Sequence, residues 1–397
     1  MNVKEDINYA FSLCRQCLRI CGVWPDPFVP SSGSYRLNIR FILVTCILCL
    51  YVFLPQLMNM ILAWGNLTRV VEYMVSVNYC LMGICKLLST WYYGDALRML
   101  MTSVMNNWMT SKNDRERNTM LKVTRRGRNL LLRCYMAAGC TFICYLYFNF
   151  LKFYQSMHQP VRSLVYQFSY PYFQKSPNYE ITFVIQLFGG LCGGFVNTTV
   201  DSFISILTLQ TCGQLINLRL ALNNLVDELA KGSISSSRFK KGLAAITMRH
   251  ELLIRNTKIV DDCYSIVLFI HMVAATFQLC FVSFQVFTIV KNHIDLPFSK
   301  IAFLTFYVSA VLSHLYMYCY SAERLLTEST NLVYGMYECK WYDISPKDAK
   351  DLMFIVYRST ISLKLTAGKF GTFSLELFET TVKTSIGYVS ALLTLTN

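Results

Sequence analysis

Charged residues are scarce in this sequence. They make up 15% of 397 residues, where a soluble chain carries about 25%, so an ordinary water-facing surface is excluded for most of the molecule. Catalytic signatures are missing too: there is no glycine-rich phosphate loop, no HExxH helix and no nucleophile elbow. The N-terminal stretch has charges on both sides of a short apolar segment and no small-residue cleavage site, so a first helix that inserts uncleaved is expected. Segment 152–180 contains no cysteine, which leaves the 16 cysteines of the chain without an external loop in which to build a disulfide framework. Cys14, Cys17 and Cys21 follow helical spacing with no fourth ligand near them, so no metal is expected there.

Apolar and aromatic residues are abundant instead. The chain is 54% hydrophobic, with 27 Phe and 25 Tyr. These residues are grouped in runs of about 20, as the hydrocarbon thickness of a bilayer requires. We expect an all-α membrane protein with seven spans, at 41–63, 70–93, 130–151, 181–209, 262–290, 301–320 and 370–395. Segments 210–261 and 321–369 also have helical patterning, for example Leu215, Leu218, Leu222 and Leu225, and are expected to extend the spans into a cytoplasmic bundle. Within them, 347–365 is amphipathic and too polar to span. The chain thus divides into a six-span bundle (1–320), a cytoplasmic anchor region (321–369) and a last helix (370–397).

Loop charge sets the orientation. Segments 1–40, 94–129, 210–261 and 321–352 hold 25 Lys and Arg, and the alternate segments 64–69, 152–180 and 291–300 hold 6. Basic loops stay in the cytoplasm, so the N-terminus is expected inside and the C-terminus outside, the reverse of a G-protein-coupled receptor. The net charge of +14 calls for no nucleic-acid partner. Lys122, Arg125, Arg126 and Arg128 instead suit the anionic lipids of the inner leaflet.

Few groups suit chemistry inside the membrane. His158 and His293 fall in outer loops and His250 in an inner one. His271 and His314 fall within spans with no carboxylate pattern around them and are read as buried, hydrogen-bonded side chains. Asp201 and Glu72 are placed near span ends, where solvent or a neighbouring helix satisfies them. No enzyme activity and no cofactor are expected.

The outer halves of spans two to six are rich in rings and small polar groups, which is what a small apolar ligand needs for burial and orientation. The candidate lining residues are Val75, Asn78 and Tyr79; Tyr145, Phe148 and Asn149; Ile185, Phe188 and Gly189; Phe277, Phe281 and Phe284; and Phe303, Phe306 and Tyr307. On span seven, Thr380, Thr384, Gly387, Ala391 and Thr394 recur every three or four residues and share a face. Such a stripe either packs closely on a neighbouring helix or lines a narrow water path, and the pattern alone leaves both open.

The C-terminal third resembles the insect odorant receptor family. Glu328 and Ser329 precede Tyr337 and Trp341, an Arg358-Ser359 pair follows, and then the Leu-Thr-Ala-Gly-Lys-Phe run at 365–370. The final helix carries Lys383, Thr384, Ser385 and Tyr388. Before span four, Tyr170-Pro171, Ser176-Pro177, Tyr179 and Gln186 are similar to the family's pattern, whereas the first 150 residues match it only in length and hydropathy. The resemblance implies an inverted seven-helix subunit of a tetrameric, odour-gated, non-selective cation channel in the plasma membrane of sensory neurons. It also implies a co-receptor of the same fold, a small volatile ligand, and a central pore made by the last helix. The stripe from Thr380 to Thr394 then becomes a pore candidate. Where the family places a bulky aliphatic gate this chain has Ala391, with Leu392 next to it, so both are gate candidates. The chain lacks the co-receptor's long insertion between spans four and five, which marks it as a ligand-tuning subunit. A gustatory receptor of the same fold is the nearest alternative, and its usual glutamine-phenylalanine ending is replaced here by Leu393-Thr394-Leu395.

Overall fold

The structure, a computed structural model, describes residues 3–28, 39–110, 113–157, 162–168, 170, 175–291 and 298–395. Side chains at 3, 4, 67, 68, 288–291, 298–300, 389 and 391–395 are outside that description. The fold is all-α. Amphipathic α1 (Val3–Cys21) leads to a first span made of α2 (Ile39–Cys46), a π-helical turn (Ile47–Phe53) and α3 (Leu54–Leu62). Then follow α4 (Leu67–Tyr92), α5 (Gly94–Thr110), α6 (Asp114–Ser156), α7 (Asn178–Ala230), α8 (Ser236–Lys291), α9 (Phe298–Glu338), α10 (Pro346–Ser359) and α11 (Leu375–Leu395). Six helices among the described residues are long and apolar enough to cross a membrane. α11, 21 residues long, occupies the seventh predicted span.

Two features differ from the sequence expectation, each for a local reason. Between the second and third spans the sequence predicts only a basic segment, yet α5 forms there and buries Leu97, Leu100, Met101, Val104, Met105 and Trp108. Its apolar residues recur at helical intervals, and Trp108 Nε1 donates to Gln210 Oε1 on α7 at 3.1 Å. The first span is not uniform. Pro55 supplies no N–H, and ahead of it the ladder widens so that Leu54 N bonds back to Cys49 O. The widened turn meets the glycines of α7: a Cβ on Gly189 would lie 2.6 Å from Val52 Cγ2 and 3.0 Å from Ile47 Cγ2. In line with the helical patterning of 321–369, α9 continues the sixth span unbroken from Phe298 to Glu338.

α11 begins at Leu375 because residues 365–373 form a tight turn before it. Phe373 N donates to Leu365 O (2.9 Å) and Ala367 N to Gly371 O (2.8 Å), while Thr366 and Thr372 form a lone antiparallel bridge. Gly368 sits at φ +58°, a left-handed conformation that side chains resist. The turn is pinned to α8, where Asp261 accepts from Thr366 N (2.7 Å) and from Thr366 Oγ1 (3.0 Å), and Ser265 O accepts from Gly368 N (2.9 Å). Ser374 then caps α11 by accepting from Leu377 N at 3.1 Å. The Leu-Thr-Ala-Gly-Lys-Phe run is thus the clip that fixes the last helix to α8.

Gly368 provides the test of this clip. Replacing it with valine should cost about 1–2 kcal/mol, whereas asparagine, which tolerates the left-handed region, should cost less. Thermal melts of the detergent-solubilised protein would show the order glycine, asparagine, valine. Equal melting points for all three would contradict the assignment.

Candidate functional site

α4, α6, α7, α8 and α9 line a cavity of about 400 Å³, bordered on one side by the first span and by Tyr166 of the loop after α6. That volume suits a small organic molecule. Its walls are mostly apolar and aromatic: Val52, Val75, Phe142, Val282, Phe303 and Leu304 among others. The loop after α6 is held down by its own polar contacts. Gln186 and Tyr166 exchange bonds, Tyr166 N to Gln186 Oε1 and Gln186 Nε2 to Tyr166 O, both 2.9 Å. Tyr179 OH donates to Ser163 O at 3.0 Å. Tyr166 OH then meets Tyr145 OH at 3.1 Å on the cavity wall. A Cβ on Gly190 would overlap the Tyr145 hydroxyl, and one on Gly194 the Phe142 ring, so these glycines of α7 make room for the rings.

The polar end of the cavity borders a cluster built on a fully buried ion pair. Lys86 of α4 and Asp201 of α7 pair at 2.6 Å, and both side chains are 0% exposed. His314 Nδ1 on α9 donates to Asp201 Oδ2 at 2.7 Å, since a carboxylate can only accept. Tyr318 OH, one turn further along α9, donates to Asp201 Oδ1. Lys86 Nζ also reaches His271 Nδ1 of α8 at 3.1 Å. Both histidines line the cavity. The carboxylate near His314 comes from another helix, which is why no pattern around the histidine in sequence reveals it. Asp201 lies near the middle of α7, and neighbouring helices rather than water satisfy it.

Of the predicted lining residues, the structure brings Val75, Tyr79, Tyr145, Phe303 and Tyr307 together on the cavity wall. Tyr79 and Tyr307 meet edge to face at 5.9 Å, and Phe303 stacks on Tyr307 at 6.1 Å. The other predicted lining residues lie elsewhere. Phe188, Phe277 and Phe306 are exposed on the outside of the bundle. Phe281 stacks on Phe277, Phe148 packs edge-on against Phe303 from behind, and Phe284 is buried in helix packing. Asn149 donates back to Tyr145 O, Gly189 faces the first span, and Asn78 and Ile185 are half-buried away from the wall. Lys86, the cation of the cluster, is absent from the sequence reading. A lysine within one apolar run and an aspartate within another is itself the signal of a buried pair.

On α11, Thr380, Thr384 and Gly387 are exposed, while Thr381 and Ser385 on another face are buried against the bundle. Ser385 Oγ donates to Thr276 O of α8 at 3.3 Å. The side chains of Ala391, Leu392 and Thr394 lie outside the described residues.

The family model described as 7tm Odorant receptor matches residues 66–386. Odorant receptor 13a of Drosophila melanogaster is 27% identical over 244 residues, covering 57% of this chain and 56% of that protein. The odorant receptor coreceptor of Ooceraea biroi is 26% identical over 147 residues, covering 37% of this chain and 30% of that protein. At its longest, then, the match spans little more than half the length of these curated relatives. In solved structures, the insect olfactory receptor OR5 from Machilis hrabei in complex with eugenol superposes with a TM-score of 0.82 at 15% identity. That superposition covers 98% of this chain and 100% of the other and establishes a shared fold.

The buried cluster makes its own prediction. Lys86→Met strands a desolvated carboxylate and should destabilise the protein by about 3–5 kcal/mol, whereas adding Asp201→Leu should recover much of the loss. Thermal stability of the purified variants reads this directly. A single variant as stable as the parent would show that the pair carries no such constraint.

Proposed function

Since the chain belongs to the 7tm Odorant receptor family, we propose that it is the odour-binding subunit of a ligand-gated, non-selective cation channel. It works with a co-receptor of the same fold as a tetramer in the plasma membrane of sensory neurons, with its N-terminus in the cytoplasm. The observation that carries this reading is the mostly apolar cavity of about 400 Å³ between the helices. Such a site buries a small volatile and selects it chiefly by shape. The family match also favours the odorant over the gustatory alternative.

The route from cavity to pore runs through α8. Gln278 and Val282 of α8 line the cavity, and Thr276 of the same helix accepts from Ser385 of α11. A ligand that fits one position of α8 better than another shifts the population of α11 by that difference in affinity. The exposed stripe Thr380, Thr384 and Gly387 is the face this subunit turns to the channel axis, with Ala391, Leu392 and Thr394 continuing it. Residues 321–369 hold the subunits together on the cytoplasmic side, where they meet the basic segments and inner-leaflet lipids.

The test is whole-cell current in cells expressing the chain with and without an odorant co-receptor, across a panel of volatiles, with G-protein cycling blocked. Rapid odour-evoked cation current that needs the co-receptor and survives the block is the expected result. A signal that needs no co-receptor and disappears under the block would overturn the proposal.

A further inference from the structure

Four buried polar atoms on residues that line the cavity have no hydrogen-bond partner among the described residues. They are Gln56 Oε1, Asn197 Oδ1, Tyr307 OH and His271 Nε2. The two amide oxygens only accept, and the hydroxyl turns either way. His271 differs because its surroundings decide where its proton sits. Lys86 Nζ lies 2.6 Å from the Asp201 carboxylate, which holds it as an ammonium, and 3.1 Å from His271 Nδ1. An ammonium donates and has no lone pair to offer. Nδ1 therefore presents its lone pair to Lys86, and the ring proton is on Nε2. A doubly protonated ring would set a second cation against Lys86 and break that bond.

The ring is also fixed in orientation. Tyr318 stands edge-on to it, 5.0 Å between centroids at 73°, and is itself bonded to Asp201. The imidazole is 2% exposed. The cluster thus holds an oriented N–H donor, without a partner among the described residues, on a side chain that lines the mostly apolar chamber. A buried donor left unmade is costly, and a ligand acceptor that meets it recovers that cost.

We propose that His271 Nε2–H is the polar contact for the odorant, and that this protein is tuned to compact carbonyl compounds, namely ketones, aldehydes and esters, over hydrocarbons of the same shape. The inference rests on the cavity being the odour site. Lys86 and Asp201 act here as positioning residues that lock the histidine's tautomer from behind.

The experiment uses the full chain with its co-receptor and a panel of carbonyl volatiles, each paired with the isostere in which a methylidene group replaces the carbonyl oxygen. Acetophenone against 2-phenylpropene is one such pair. Half-maximal concentrations are measured for the parent, His271→Phe and His271→Gln. The parent should favour the carbonyl member by about tenfold or more. His271→Phe should lose that preference, with surface labelling of the intact cells reporting separately that the variant is folded and delivered. His271→Gln should restore it, because one amide can accept from Lys86 through its oxygen and donate to the ligand through its nitrogen. If the phenylalanine variant does not reach the surface, the parent and glutamine preferences decide. Hydrocarbons equal to or better than their carbonyl partners in the parent, or a preference unchanged by His271→Phe, would overturn the inference while leaving the odour-receptor reading intact. Absence of current with every volatile would remove the reading on which it rests.

Discussion

One carboxylate constrains this molecule more than any other group. Asp201, fully buried on α7, accepts from Lys86 on α4 and from His314 and Tyr318 on α9, and Lys86 in turn reaches His271 on α8. A charge removed from water cannot be left unpaired without a penalty of about 3–5 kcal/mol. The four helices must therefore meet at the same height, with side chains of defined type pointing inward. Such a cluster is weak evidence for net stability, since an apolar substitute of equal volume packs as well or better. Its consequence here is positional: it sets the polar end of the cavity and fixes α8 relative to α4, α7 and α9.

The other local structures follow from that frame. Toward the loop that carries Tyr166, rings and glycines alternate so that a chamber stays open: Gly190 and Gly194 leave room for Tyr145 and Phe142, while Gly189 lets the first span press close. Toward the basic segments, α7, α8 and α9 continue well beyond the length a bilayer needs and pack with α5 and α10. The chain returns to the membrane through the turn at 365–373, clipped to α8 by Asp261. α8 thus borders the cavity, holds the clip and contacts α11, so one helix touches every part a gating transition would have to move.

Much of the architecture was legible in the sequence because bilayer thickness imposes a length on apolar runs. The helical extensions at 210–261 were legible through the leucine spacing. α5 was hidden by its basic surroundings, and the π-helical turn depends on a close approach to α7 that no local pattern encodes. Within the cavity, Val75, Tyr79, Tyr145, Phe303 and Tyr307 carry the expected ring-and-small-group signal. Phe188, Phe277 and Phe306 carry it equally and face outward. A membrane protein places aromatic residues both around ligands and towards lipid, and composition does not separate the two. The pair of Lys86 and Asp201 required a tertiary contact between helices far apart in sequence.

The central claim is that this chamber receives the odorant, and filling it is the most direct measurement. Val75→Trp places a large ring inside the cavity, whereas Phe188→Trp alters an aromatic on the outer surface. In cells with the co-receptor and matched surface expression, the account predicts that Val75→Trp abolishes odour-evoked current while Phe188→Trp leaves the concentration–response curve unchanged. Normal responses from Val75→Trp, with loss of response from Phe188→Trp, would contradict it.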